Sequence, residues 1–166
     1  ANLSAHKAGW DDQWEFFSNW AVKGQAYKEQ LLFLVDEDTH AFNKIIDGFR
    51  MPKDTDDEKE ARALAIENAT IYATEIPFKV METAFQSMEV MQAMLKDGLQ
   101  NSLSDAGVGV LCARTAVIGA YFNVRINAKD IKNREFAEKI LAKAASIYKQ
   151  TIAIENDTIA YIDSKM

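Results

Sequence analysis

The chain has little of what makes strands and tight turns. Two prolines and seven glycines are spread over 166 residues. No stretch alternates apolar and polar residues between turn signals, so an all-α domain is expected. One cysteine, Cys112, cannot close an internal disulfide, which points to a reducing compartment, expected to be the cytoplasm. His6 and His40 lack the spacing of a zinc site, and no CxxC is present, so no metal centre is expected. There is no P-loop and no GxGxxG, so no nucleotide site is expected; Gly107-Val-Gly109 reads as small-residue packing inside a helix. A basic excess is also missing: 19 Lys and Arg against 25 Asp and Glu leave a net charge of -6. That argues against a general nucleic-acid binder, while a local basic pocket for an anionic ligand stays open. The apolar run 108–124 is short and interrupted by Arg114, which suits a helix of a bundle better than a membrane span. Ala1 opens the chain with neither a methionine nor a signal-like run, as in a fragment or a processed product.

What is present is an ordinary globular balance, 48% hydrophobic and 27% charged, enough for one domain over 1–166. Trp10, Trp14, Phe17 and Ala21 recur at helical spacing, with Asp11 or Asp12 as cap and Gly24 as a weak point before a stripe from Leu31 to Ile45. Gly48 ends that segment and Arg50–Asp54 form a loop. Thr55-Asp-Asp-Glu58 has the pattern of a capping box opening a long helix to about Lys96. Pro77 removes one donor inside it and predicts a kink or break near Thr74–Pro77. Ser102 or Ser104 is expected to cap a helix to about Lys129, and Asn133 the last one. The expectation is a bundle of about five helices, some long. Met81, Phe85, Met88, Met91 and Met94 form a stripe that reads most simply as internal core and alternatively as a dimer surface.

Two faces carry candidate chemistry. On the helix through Leu31–Asn43, Asp38 falls in the middle of the apolar side formed by Leu31, Leu34, Val35, Phe42 and Ile45. Burial there would raise its pKa, so the carboxylate is either paired, with Arg62, Arg114 or Arg125, or a general acid/base. His40 lies on the polar side and reads as exposed. On the helix from Ser104, Asp105 and Asn123 are five turns apart and in phase, with Asn127 one turn on. Gly109, Cys112, Ala116, Gly119 and Ala120 lie between them. Such a face suits either close helix packing with polar ends or a flat ligand. Cys112 reads as a buried structural thiol.

The segments LVDEDTHAFN, PKDTDDEKEAR, EIPFKVMETA, SDAGVGVLCA and GAYFNVRINAKDI occur in this order. Together they resemble the cyclodeaminase/cyclohydrolase family of folate enzymes over nearly the whole chain. The resemblance implies an all-helical dimer or larger homo-oligomer. It implies a tetrahydrofolate derivative as substrate, with or without a polyglutamate tail, and no metal or nucleotide. It also implies the deamination of 5-formimidoyltetrahydrofolate in histidine degradation, or the related hydrolysis of methenyltetrahydrofolate, alongside a formimidoyltransferase domain or partner. In the VDxDxxAF motif the second aspartate is the acid/base, here Asp38. Ser104, Asp105, Asn123, Arg125 and Asn127 lie in the other motifs and are the expected substrate contacts, Arg125 toward a glutamate-tail carboxylate. Two departures stand out: the family's Gly-rich segment ahead of the first helix is missing, and Gly98-Leu99-Gln100-Asn101 replaces its Gly-Asn-Pro-Asn loop. A helical dimerisation module without activity is the competing reading.

Overall fold

The computed structural model describes residues 1–166 as five α-helices without strands. α1 (Asn2–Ala5) is a single turn. α2 (Trp14–Arg50), α3 (Asp56–Asp97), α4 (Leu103–Asn127) and α5 (Arg134–Asp163) are long, each antiparallel to the next. Short 3-10 turns at 11–13 and 100–102 lead into α2 and α4.

Local chemistry sets several boundaries. The Thr55 hydroxyl accepts from the Glu58 N–H, and the Glu58 carboxylate takes the backbone N–H groups of Thr55 and Asp54. This is the expected capping box, and those backbone donors hold the Glu58 carboxyl below its ordinary range. Asn133 caps α5 by accepting from the Phe136 N–H at 3.1 Å. Just before it, the Glu67 carboxylate of α3 takes the N–H groups of Lys132 and Asn133, tying the α4–α5 loop to α3. Gly98 stands at the C-cap of α3, where a side chain would not fit because a Cβ would stand 2.5 Å from the Met94 carbonyl oxygen.

Other boundaries differ from expectation. Neither Asp11 nor Asp12 caps α2, which starts from a 3-10 turn without a side-chain cap. Gly24 does not interrupt α2: it faces Val90 of α3, where a Cβ would stand 3.6 Å from the valine side chain, an ordinary contact. Ser102 stands at the N-cap of α4, as one of the two expected residues, but its side chain makes no capping hydrogen bond, and α4 is also entered from a 3-10 turn. α3 runs through Pro77 without a break.

α3 is the central helix. Its Phe78, Met81 and Ala84 meet Val117, Ala120 and Val124 of α4 and Ile140 and Ala144 of α5 in the largest core cluster. Met88 packs with Val110 and Ala113, and Leu95 with Leu103 and Ala106. Met81 and Met88 are fully buried, Met91 packs on the Met88 cluster and Met94 on the cluster of Leu95, Leu103 and Ala106, so the methionine stripe faces the core of the chain. Burial of each such side chain contributes on the order of 2 kcal/mol. Arg114, midway along the apolar α4, lies 3.0 Å from Glu155 of α5 and joins the two helices. α2 lies on the other flank of α3, placing Leu34 and Ala41 against Ala73 and Ile76.

Candidate active site

The apolar stripe of α2 is wider than the part α3 covers. Leu34, Ala41 and Gly48 turn into the bundle, and Glu37 is half-buried beside them. Asp38 is exposed, as are Val35 (63%), Phe42 (61%) and Phe49 (56%). The expectation that this chain buries Asp38 is therefore corrected: α3 meets one edge of the stripe and leaves its centre open. Asp38 also has none of the expected arginine partners. Arg114 pairs with Glu155, Arg62 donates to the Phe49 carbonyl at 3.4 Å, and Arg125 stands over the Tyr121 ring at 5.5 Å.

The stripe has a defined spacing. Leu31, Val35, Asp38, Phe42, Ile45 and Phe49 alternate by four and three residues, the seam along which a second helix packs. Val35, Phe42 and Phe49 are exposed along it with Asp38, while Leu31 and Ile45 are half-buried and pack on the chain's own core. A comparable uncovered surface runs along α4, with Val108, Leu111, Phe122 and Ile126 exposed. Cys112 and Gly119 are open on α4 as well, and no atom stands within 4 Å of a Cβ built on Gly119. Cys112 is thus a surface thiol, not the buried one expected, while Ala116 and Ala120 of the same small-residue face pack into the core and Gly109 lies against Met91 of α3.

The predicted substrate contacts fall into two groups. Ser104 and Asp105 lie at the start of α4 and face different hollows. Ser104 shares one with Val108, Glu155 and Ile159 between α4 and α5. Asp105 shares another, of about 210 Å³, with Ser4, Met91, Met94 and Leu99 beside the N-terminus. Asn123, Arg125 and Asn127 lie at the far end of α4, ~27–33 Å from Asp105 at 1.5 Å per residue. This group and Asp38 share a level on α3: Leu34 and Ala41, one turn either side of Asp38, pack on Ala73 and Ile76, and Asn127 reaches the same Ala73. Asn123 and Arg125 are exposed; Asn127 is half-buried.

Asn127 has a structural task. Pro77 has no N–H to give the carbonyl of Ala73, four residues earlier, and Asn127 Nδ2 donates to that oxygen at 2.8 Å. The side-chain amide of α4 thus replaces the donor that the proline removes, and α3 continues unbroken. Asn127→Ala should destabilise the fold by about 1–3 kcal/mol, the cost of an unpaired carbonyl. In a Pro77→Ala background the restored N–H should absorb much of that loss. A denaturant double-mutant cycle should therefore show coupling, and additive losses would contradict the assignment.

Sequence reading missed Glu37 and Tyr72. The Tyr72 hydroxyl donates to Glu37, His40 Nδ1 lies 3.2 Å from the same carboxylate, and the Lys44 ammonium stands 4.0 Å from the Tyr72 ring centre. The hydrogen bond from Tyr72, then that from His40, holds the Glu37 carboxyl below its ordinary range. Hydrogen bonding to Glu37 raises the Tyr72 phenol, with burial adding to it. The position of Glu37 one turn from both Leu34 and Ala41 was a usable signal that it borders the interface. His40 is exposed, as expected.

Fold and site together describe a helical bundle domain with one carboxylate set in an uncovered apolar seam. The formiminotransferase-cyclodeaminase family model matches residues 1–146. The chain is 30% identical over 144 residues to a methenyltetrahydrofolate cyclohydrolase of Methylorubrum extorquens, covering 87% of this chain and 69% of that protein. It is 35% identical over 125 residues to the formimidoyltransferase-cyclodeaminase of Mus musculus, covering 75% of this chain but 23% of that longer protein. The solved formiminotetrahydrofolate cyclodeaminase of Thermotoga maritima has the same fold, with a TM-score of 0.76, 18% identity, and coverage of 99% of this chain and 76% of that one. The chain belongs to the formiminotransferase-cyclodeaminase family of folate cyclodeaminases and cyclohydrolases.

Proposed function

We propose that the chain is a formimidoyltetrahydrofolate cyclodeaminase. N10 of 5-formimidoyltetrahydrofolate attacks the amidine carbon on N5 and a C–N bond forms. The bond from that carbon to the departing nitrogen breaks, giving 5,10-methenyltetrahydrofolate and ammonia. With the amidine entering in its protonated form, N10 loses a proton, the departing nitrogen gains one, and the positive charge stays on the methenyl product. One carboxyl group can take the first and supply the second, and Asp38 has that role. The observation that carries the reading is Asp38 as the single carboxylate in a seam of Leu31, Val35, Phe42, Ile45 and Phe49. A second copy of the chain laid on that seam would exclude bulk water from the carboxylate. The active unit is accordingly a homodimer or a larger homo-oligomer.

Asn123 and Arg125 are the substrate contacts at the level of Asp38. The exposed Arg125 guanidinium suits a carboxylate of a glutamate tail, single or polymeric. Ser104 and Asp105 join them where a second copy brings the start of its α4 to that level. Asn127 contributes by holding α3, since its amide is already engaged with Ala73. Likeness to the bifunctional mouse protein supports work beside a formimidoyltransferase, as a domain or a partner. A cytoplasmic setting suits the exposed, unpaired Cys112.

The Methylorubrum extorquens relative supports a second reading, methenyltetrahydrofolate cyclohydrolase, in which water opens the methenyl bridge. Supplying the two folates separately decides between them. The cyclodeaminase reading predicts ammonia and the methenyl chromophore in equal amounts from 5-formimidoyltetrahydrofolate. Loss of the chromophore from methenyltetrahydrofolate, with no ammonia from the formimidoyl compound, would select the hydrolase.

A further inference from the structure

Two reciprocal hydrogen bonds tie α2 to α3. Tyr27 of α2 donates to Glu89 of α3, and Tyr72 of α3 donates to Glu37 of α2. The Lys23 ammonium joins the first pair, 2.7 Å from Glu89. Around these bonds Leu34 and Ala41 pack against Ala73 and Ile76, and Gly48 comes up against Ile66. Apolar packing of this kind is non-directional and resists only weakly the shear motion available to packed helices. The directional bonds supply that resistance.

The Tyr72 bond falls where the site needs it. Glu37 is the residue before Asp38, and Tyr72 is the residue before Ala73, whose carbonyl holds Asn127 of α4. Two consecutive residues of α3 therefore hold the α2 turn with Asp38 and the α4 turn with Asn123 and Asn127. Burial and then Glu89 push the Tyr27 phenol up to about 12, and Glu37 raises that of Tyr72, so both stay protonated donors at neutral pH.

We infer that Tyr72 is a positioning residue for Asp38: through Glu37 its hydroxyl sets the rotation of α2 on α3, and with it the direction in which Asp38 leaves the helix. The effect on turnover rests on the folate reading above; the effect on α2 does not. Tyr27 makes the same kind of bond ten residues from Glu37, ~15 Å along α2, and serves as the internal control.

The test compares Tyr72→Phe, Tyr27→Phe, Glu37→Ala and Glu37→Gln by amide hydrogen exchange and by steady-state kinetics on 5-formimidoyltetrahydrofolate and methenyltetrahydrofolate. Tyr72→Phe should speed exchange in peptides covering residues 31–43 several-fold, and Tyr27→Phe should not. Tyr72→Phe and Glu37→Ala should lower kcat about tenfold with KM within about twofold, the signature of a displaced reacting group rather than lost substrate binding. Glu37→Gln keeps an acceptor for the tyrosine and should recover most of the rate. Tyr27→Phe should keep its rate. Unchanged exchange over 31–43 in Tyr72→Phe, or equal kcat losses in the two tyrosine variants, would overturn the inference. Absence of turnover in wild type on both folates would count against the folate reading alone, and the exchange comparison would still decide the role of Tyr72.

Discussion

Asp38→Asn should lower turnover by a factor of about 10²–10⁴ while leaving the chain folded. The amide has the shape of the carboxylate but can neither take the proton from N10 nor pass one to the leaving nitrogen. Stability should hold because Asp38 is exposed and neither pairs nor hydrogen-bonds within its own chain, so the change should stay within about 0.5 kcal/mol. Asp38→Leu sharpens the comparison. It completes the apolar seam and should strengthen association of two copies, because an apolar side chain replaces a charge that the interface would have to desolvate. It should also be inactive. A helical dimerisation module would show the gain in association with no activity to lose. Thermal unfolding, sedimentation and the ammonia assay on the same three proteins separate these outcomes.

Phe42→Asp should dissociate the assembly. Phe42 is 61% exposed in the single chain, so replacing it removes little internal packing. Along the seam it is one of the largest side chains a second copy would cover, and burial of a phenylalanine is worth about 1.5–3 kcal/mol. The substitution also puts a carboxylate one turn from Asp38, where two like charges would have to share one dry interface. A loss of about 3 kcal/mol weakens association more than a hundredfold. Sedimentation should show a dimer for wild type and a folded monomer for Phe42→Asp, and the monomer should turn over substrate poorly because water reaches Asp38. Substitution of Leu64, exposed at 63% on α3 and outside the α2 seam, should leave association unchanged.

Residues that act through their own neighbourhood were legible in the sequence. Thr55 and Glu58 close a capping box with groups three residues apart, and Asn133 caps α5 in the same way. The methionine stripe declared itself by helical spacing. The orientation of α2 was not legible. Periodicity locates an apolar side but cannot say which part of it meets the same chain, and α3 takes only the edge at Leu34 and Ala41. For that reason Asp38 lies in the open when a wheel centres it in the core. Cys112 follows the same logic: its apolar surroundings on α4 are an outward face.

The site's polar wiring was half legible. Counting back four residues from Pro77 identifies the carbonyl of Ala73 as the one without a donor. Nothing local reveals that the replacement comes from Asn127, 54 residues away. The Tyr72–Glu37 and Tyr27–Glu89 bonds are likewise long-range, joining residues 35 and 62 positions apart.

At the centre of this account is one seam on α2 that carries the acid/base and works when a second copy covers it. The most direct measurement is turnover per chain on 5-formimidoyltetrahydrofolate across a dilution series, with the dimer fraction determined by sedimentation at each concentration. Activity per chain should fall in step with the dimer fraction and vanish with it. A monomer with undiminished activity, or a stable dimer that turns over neither this folate nor methenyltetrahydrofolate, would contradict it.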